Sequence, residues 1–174
     1  MKKIISLLLL CLSMLFIGNV MAQNGKPKPV VAPKTKILNN IKLNVENFTV
    51  SDARLVFEDD SPVPANNLVE LKQRVKLQLT IDKGWQQKEG RVFLGATEII
   101  RLSDGYNVLA SDDLFKSYDE EGVTPDDAQF ITLYATLTEL DNMKLHAIVS
   151  FRVWDKNGTG EITGSFKLFF KKAP

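Results

Sequence analysis

An all-β, antiparallel sandwich is the fold this chain predicts, on three observations. From Asn40 onward, apolar and polar residues alternate in segment after segment, as in strands that bury one face. Turns rich in Asp, Asn and Gly separate those segments at regular intervals. No stretch of helical length carries the apolar stripe of an amphipathic helix. About eight strands follow from this pattern, with one short helical turn near 111–118.

The start of the chain stands apart. Lys2-Lys3, the apolar stretch from Ile4 to Ile17 and the exit Val20-Met21-Ala22 have the form of a signal peptide, residues 1–22, cut after Ala22. A retained anchor is the alternative, but the apolar run is short for a bilayer and no basic stop-transfer patch follows it. Cys11 is the only cysteine and lies inside the leader, so the exported chain is expected to have neither disulfide nor thiol chemistry. With Gln23 directly after the cut, a lipoprotein is not expected. Residues 23–38 predict a solvated, extended linker, because Pro27, Pro29 and Pro33 alternate with Lys26, Lys28, Lys34 and Lys36. Residues 39–174 are then the sandwich domain, large enough to bury a core without staples. Losing the leader takes Lys+Arg from 22 to 20 against 21 Asp+Glu, a formal net charge of −1. Such a balance implies no basic face, which argues against nucleic acid and anionic membrane as partners. No later segment has the apolar length of a transmembrane helix.

Along the domain, Ile41, Leu43 and Val45 alternate with polar residues, and the parity slips near Glu46-Asn47 before Phe48 and Val50, which predicts a bulge or strand break. Leu55-Val56-Phe57 form a second run ahead of an acidic, proline-rich loop, 58–64. Val75, Leu77, Leu79 and Ile81 define a half-buried strand that ends at the turn Asp82-Lys83-Gly84. Arg91 to Leu94 and Glu98 to Leu102 read as strands on either side of Gly95. Between Ser111 and Asp127, seven acids surround Leu114, Phe115 and Tyr118. Ser111 suits a helix cap there, with Leu114 and Tyr118 pinning the turn to the core. Ile131, Leu133, Ala135 and Leu137 share one face, as do Leu145, Ala147, Val149, Phe151 and Val153, and then Ile162, Phe166, Leu168 and Phe170. The short turns between these three strands predict an antiparallel meander. The pattern fits an immunoglobulin-like or C2-like arrangement, with a barrel as the alternative.

One loop has metal-ligand spacing. Asp155, Asn157, Thr159 and Thr163 at positions one, three, five and nine, with Gly160 at six, Glu161 at seven and Ile162 at eight, resemble the first nine positions of an EF-hand calcium loop. That resemblance implies weak calcium binding by Asp155, Asn157, Thr159 and Glu161. Phe166 occupies the place of the bidentate glutamate, and the flanks read as strands rather than helices. Val153-Trp154-Asp155-Lys156-Asn157 followed by Ile162-Thr163-Gly164 also resembles the third calcium-loop region of C2 domains, with Asp59-Asp60 or Asp112-Asp113 as conceivable partners. A polar hairpin loop is the other reading, since turns select Asn and Gly by themselves. Apart from calcium at this loop, no cofactor is expected. Asn157-Gly158-Thr159 also fits the N-glycosylation pattern.

Little points to catalysis. His146, the only histidine, falls on the polar face of a strand, and no nucleophile elbow or phosphate-cradling glycine loop is present. A carboxylate-pair hydrolase stays open because acids are plentiful. Trp85 and Trp154, with Tyr106 and Tyr118, are candidate contact aromatics, Trp154 alternatively lying beneath the acidic segment. The chain is thus expected to be an exported, periplasmic or extracellular, non-enzymatic module of a bacterial envelope that binds an envelope protein or a carbohydrate. A calcium-dependent binding domain is the second expectation and an acid-based hydrolase the third.

Overall fold

A computed structural model describes residues 35–142 and 145–171. The expected leader, the linker up to residue 34, and Lys144, for which the alternation predicts an outward side chain, lie outside the described residues. In chain order the strands are β1 (Lys36–Ile37), β2 (Lys42–Glu46), β3 (Thr49–Phe57), β4 (Leu68–Glu70), β5 (Val75–Lys83) and β6 (Gln87–Lys88). They continue as β7 (Arg91–Val92), β8 (Leu94–Leu102), β9 (Asn107–Ala110), β10 (Phe130–Ala135), β11 (His146–Asp155) and β12 (Glu161–Lys171). Four of them form one sheet in the order β1-β3-β5-β10. Six form the other, β2-β12-β11-β8-β9 with β4 also beside β12. β6 and β7 make a separate hairpin. The chain is an all-β sandwich: both large sheets are open, with edge strands, so the barrel alternative falls.

The core lies between the two sheets and follows the alternation. Leu55, Leu77, Leu79, Ile81 and Leu133 of the smaller sheet meet Val149, Val153 and Ile162 of the larger one, all fully buried. Each such side chain contributes about 1.5–3 kcal/mol relative to exposure. The parity slip at Glu46-Asn47 is where the chain leaves one sheet for the other: β2 pairs with β12 and β3 with β5, while Asn47 takes φ 55° at the crossing. A second register shift, between Val50 and Asp52, keeps Val50, Ala53 and Leu55 all inward in one long strand.

Two buried asparagines clamp the layers. Asn39 Nδ2 donates to the Val63 carbonyl (3.1 Å) and to Asn67 Oδ1 (3.0 Å), and Asn39 Oδ1 accepts from the Leu55 N–H (3.0 Å). Asn67 Nδ2 donates to the carbonyls of Asn39 (2.8 Å) and Lys167 (2.9 Å), which ties the β3 side to β12. Both asparagines have positive φ, a conformation their side chains tolerate.

Several expectations need correction. β10 pairs with β5, not β11, so the last three strands are not a meander; the chain between β10 and β11 crosses sheets. β8 runs without a break through Gly95. The helical turn is a 3₁₀ turn at Lys116–Tyr118, with another at Asp127–Gln129. Ser111 does not cap it: its hydroxyl accepts from the Glu98 N–H (2.7 Å) and extends the β8 edge. Leu114 and Tyr118, each 46% exposed, do not pin the turn to the core. Two pairings are parallel, β1 with β3 and β4 with β12. β1 falls within the stretch expected as linker.

Candidate functional site

The end of β11 shows what the Asp155 loop does. Asp155 has the inward parity of Val153 and is buried. Its Oδ1 accepts from the Asn157 N–H (2.9 Å) and its Oδ2 from the Gln86 N–H (2.5 Å). The first contact is an Asx turn that shapes the loop; the second ties the loop to the connection before β6. Glu161 points to the outer face, where its carboxylate pairs with Arg152 (2.5 Å). Thr159 offers its carbonyl and hydroxyl to Asn47 Nδ2, both at 3.2 Å. The Asp155 and Glu161 carboxylates thus serve different partners on opposite sides of the sheet. Among the described residues, no cluster of three or more His, Cys, Asp or Glu side chains has metal-holding geometry.

A cation from the protein itself gathers the neighbouring acids. Lys156 Nζ pairs with both Asp113 and Asp119, and the Lys156 backbone N–H donates to the Phe93 carbonyl (2.8 Å). Asp113 Oδ1 also accepts from Ala96 N–H (3.1 Å) and Phe115 N–H (3.0 Å). Burial works against the charge of Asp113, but Lys156 and these two amides outweigh it and hold the carboxyl below the usual carboxylate value. The acidic segment is therefore latched down against the β11–β12 loop. Asp59-Asp60 belong to a different corner, where Asp60 pairs with Lys76 (2.5 Å).

Both tryptophans are half-buried. Trp85 packs against Phe48 with ring centroids 4.6 Å apart, and its indole N–H is enclosed without a hydrogen-bond partner among the described residues. Trp154 lies on the outer face, across Gly95 and beneath the Arg152 guanidinium at 4.8 Å. His146 stacks against Phe169 at 5.2 Å on that same face. Glu98 turns inward, 2% exposed, with Oε1 unpartnered; burial pushes its carboxyl up to about 7.

The larger feature was not foreseen from the sequence. β9 is the last strand of its sheet, with β8 on one side and no described strand on the other. Leu109 stands opposite Ile100, whose side chain is buried in the core, yet Leu109 is 42% exposed. The four-stranded sheet ends at β10 and leaves β9 overhanging. Under that overhang is a cleft of about 630 Å³ whose lining includes Leu102, Tyr106, Val108, Leu137, Leu140 and Leu145. Asp104, Glu139 and Asp141 line it too, all exposed. The one signal in the sequence is the run Tyr106-Asn107-Val108-Leu109, apolar but without clean alternation, as suits an edge strand whose register shifts next to Arg101.

No family model matches the chain, and no curated protein matches it in sequence. Among solved structures it is similar to the crystal structure of the C-terminal domain of Wzt, at 12% identity and a TM-score of 0.48, covering 78% of this chain and 80% of that one. A likeness of that size carries nothing about function. No helix among the described residues is long and apolar enough to cross a membrane.

Proposed function

We propose that this protein is an exported, non-enzymatic interaction module of a bacterial envelope, and that it takes an extended polypeptide segment along its open side. Export rests on the leader from Lys2 to Ala22. The non-enzymatic part is supported by how the acids around the Asp155 loop and in the core are used: Asp155 serves two backbone amides, Asp113 and Asp119 serve Lys156, and Glu98 lies alone in the core.

The β9 overhang carries the rest. An unpaired edge accepts a further strand through main-chain hydrogen bonds, and the cleft beside it receives alternate side chains. Val108, Leu109, Leu137 and Leu140 suit apolar side chains, while Asp104, Glu139 and Asp141 favour basic ones. A segment alternating apolar and basic residues meets both demands.

Amide shifts of the labelled protein, titrated with a peptide alternating Lys and Val, test this. Perturbations should concentrate in 102–110 and 137–142, and a Glu–Val peptide should bind about tenfold more weakly. Shifts centred elsewhere, or equal binding of the two peptides, would remove the open side as the interaction surface.

A further inference from the structure

The balanced charge of the chain implies no basic face, yet strand register assembles one. On the larger sheet, outward positions of β2, β12, β11 and β8 line up in cross-strand rows. One row is Lys42, Ser165, Ser150 and Ile99; the next is Lys167, Ile148 and Arg101; the next is Phe169 and His146. Lys42, Lys167 and Arg101 are exposed, and among the described residues none of them has an ion-pair partner. No acid occupies those rows. The acids of this face are Glu46 and Glu161 at the opposite end of the strands, where Glu161 is engaged by Arg152, and Glu70 of β4 beyond the Phe169 row, where Lys171 engages it at 3.0 Å.

Between Lys167 and Arg101 the surface is apolar. Phe169 is 41% exposed, its ring steadied by His146, and Ile148 separates Lys167 from Arg101. Lys167 and Arg101 are two strand spacings apart, about 10 Å between backbones. A groove of about 310 Å³ runs here, its lining including Asn40, Lys42, Ile148, Ser165, Lys167 and Phe169. The backbone below it is held firmly, because buried Asn67 Nδ2 donates to the Lys167 carbonyl at 2.9 Å.

We propose that this face binds an anionic glycan, with a sugar ring seated against Phe169 and Ile148 and its acid groups held by Lys42, Lys167 and Arg101. A sugar presents an apolar C–H face to an aromatic ring and hydroxyls to groups such as Ser165 and Asn40, while a uronate or sulfate supplies the charge. Three cations are fewer than the four to eight that mark an anionic-membrane site, and fewer than the roughly six to ten phosphate contacts of a nucleic-acid site. A groove of this volume falls instead at the small end of sites for compact ligands, about 300–1,000 Å³. This face is separate from the open side, so the two proposals stand or fall independently.

Calorimetry with a galacturonate oligomer, its methyl-esterified form, phosphatidylserine vesicles and a single-stranded oligonucleotide decides the matter. The galacturonate oligomer should bind, and esterification should weaken it about tenfold by removing the charge that the lysines meet. Lys42→Glu, Lys167→Glu and Phe169→Ala should each weaken it about tenfold, whereas Arg54→Glu on the smaller sheet should leave it unchanged. The amide spectrum of each variant confirms that it is folded. Equal binding of the ester, tighter binding to vesicles or oligonucleotide, insensitivity to the two lysine variants, or no binding of galacturonate would each overturn the proposal.

Discussion

The indole of Trp154 lies across Gly95 on the neighbouring strand and occupies the space that a side chain there would need. A glycine inside a strand normally weakens it. Here the aromatic ring covers the gap, and β8 stays continuous.

That relationship predicts strong coupling. A methyl at position 95 would come well inside contact distance of the ring, so Gly95→Ala should cost about 1–3 kcal/mol. In a Trp154→Ala background the same change should cost less than about 0.5 kcal/mol. Urea melts of the four proteins measure this cycle, and simple additivity would mean that the ring does not hold that position.

Glu98 predicts a pH-dependent stability. Burial raises its carboxyl from 4.5 to about 7, so across that window the folded state keeps a proton that the unfolded state releases. Stability should therefore fall as pH rises through the window and level off above it, by about 3 kcal/mol in all. Glu98→Gln should match the wild type near the acid end and exceed it at about pH 8. Parallel melts across this range check it; curves that run parallel throughout would show that Glu98 ionises freely.

Lys156→Met should release the acidic segment. The pair is partly exposed, so the global cost should be about 1–2 kcal/mol. Amide exchange from Ser111 to Asp119 should quicken more than exchange in β5. Because the Asp113 carboxyl is held low, its contribution is present above the ordinary carboxyl range and disappears as pH falls through its lowered value. The variant should lose that part of the acid sensitivity. Unchanged exchange in the segment would show that other contacts hold it.

For the Asp155 loop, the internal use of both carboxylate oxygens predicts that Asp155→Ala costs about 1–3 kcal/mol with or without calcium. Calcium should stabilise the wild type by no more than about 1–1.5 kcal/mol even at tenfold excess over a weak site of about 0.1–1 mM. Melts with calcium and with chelator compare the two. A micromolar site lost in the variant would favour the calcium-dependent reading over the proposed one.

What was legible in the sequence is what alternation encodes. β5, β8, β10, β11 and β12 bury one face each, and Leu77, Val149 and Ile162 stand where their parity puts them. Pairing partners were not legible, because β10 chooses β5 over β11 through contacts far apart in the chain. β1 and β4 are too short to show a period. The Asn39–Asn67 clamp has no periodic signal, and its polarity reads as loop. At Asp155 the residues that resemble a cation loop are those an Asx turn needs, and only structure shows that backbone amides take the oxygens. Lys42, Arg101 and Lys167 come from three separated strands, so their shared face is invisible to a net charge.

Site-specific photo-cross-linking in the intact envelope tests the central proposal most directly. A photoreactive residue at Val108, under the β9 overhang, should cross-link to a defined polypeptide at an extended stretch of alternating apolar and basic residues, identified by mass spectrometry. The same residue at Arg54, on the outer face of the smaller sheet, should not. No polypeptide adduct at Val108, or an equal yield of the same adduct at Arg54, would contradict an interaction module that works through its open side.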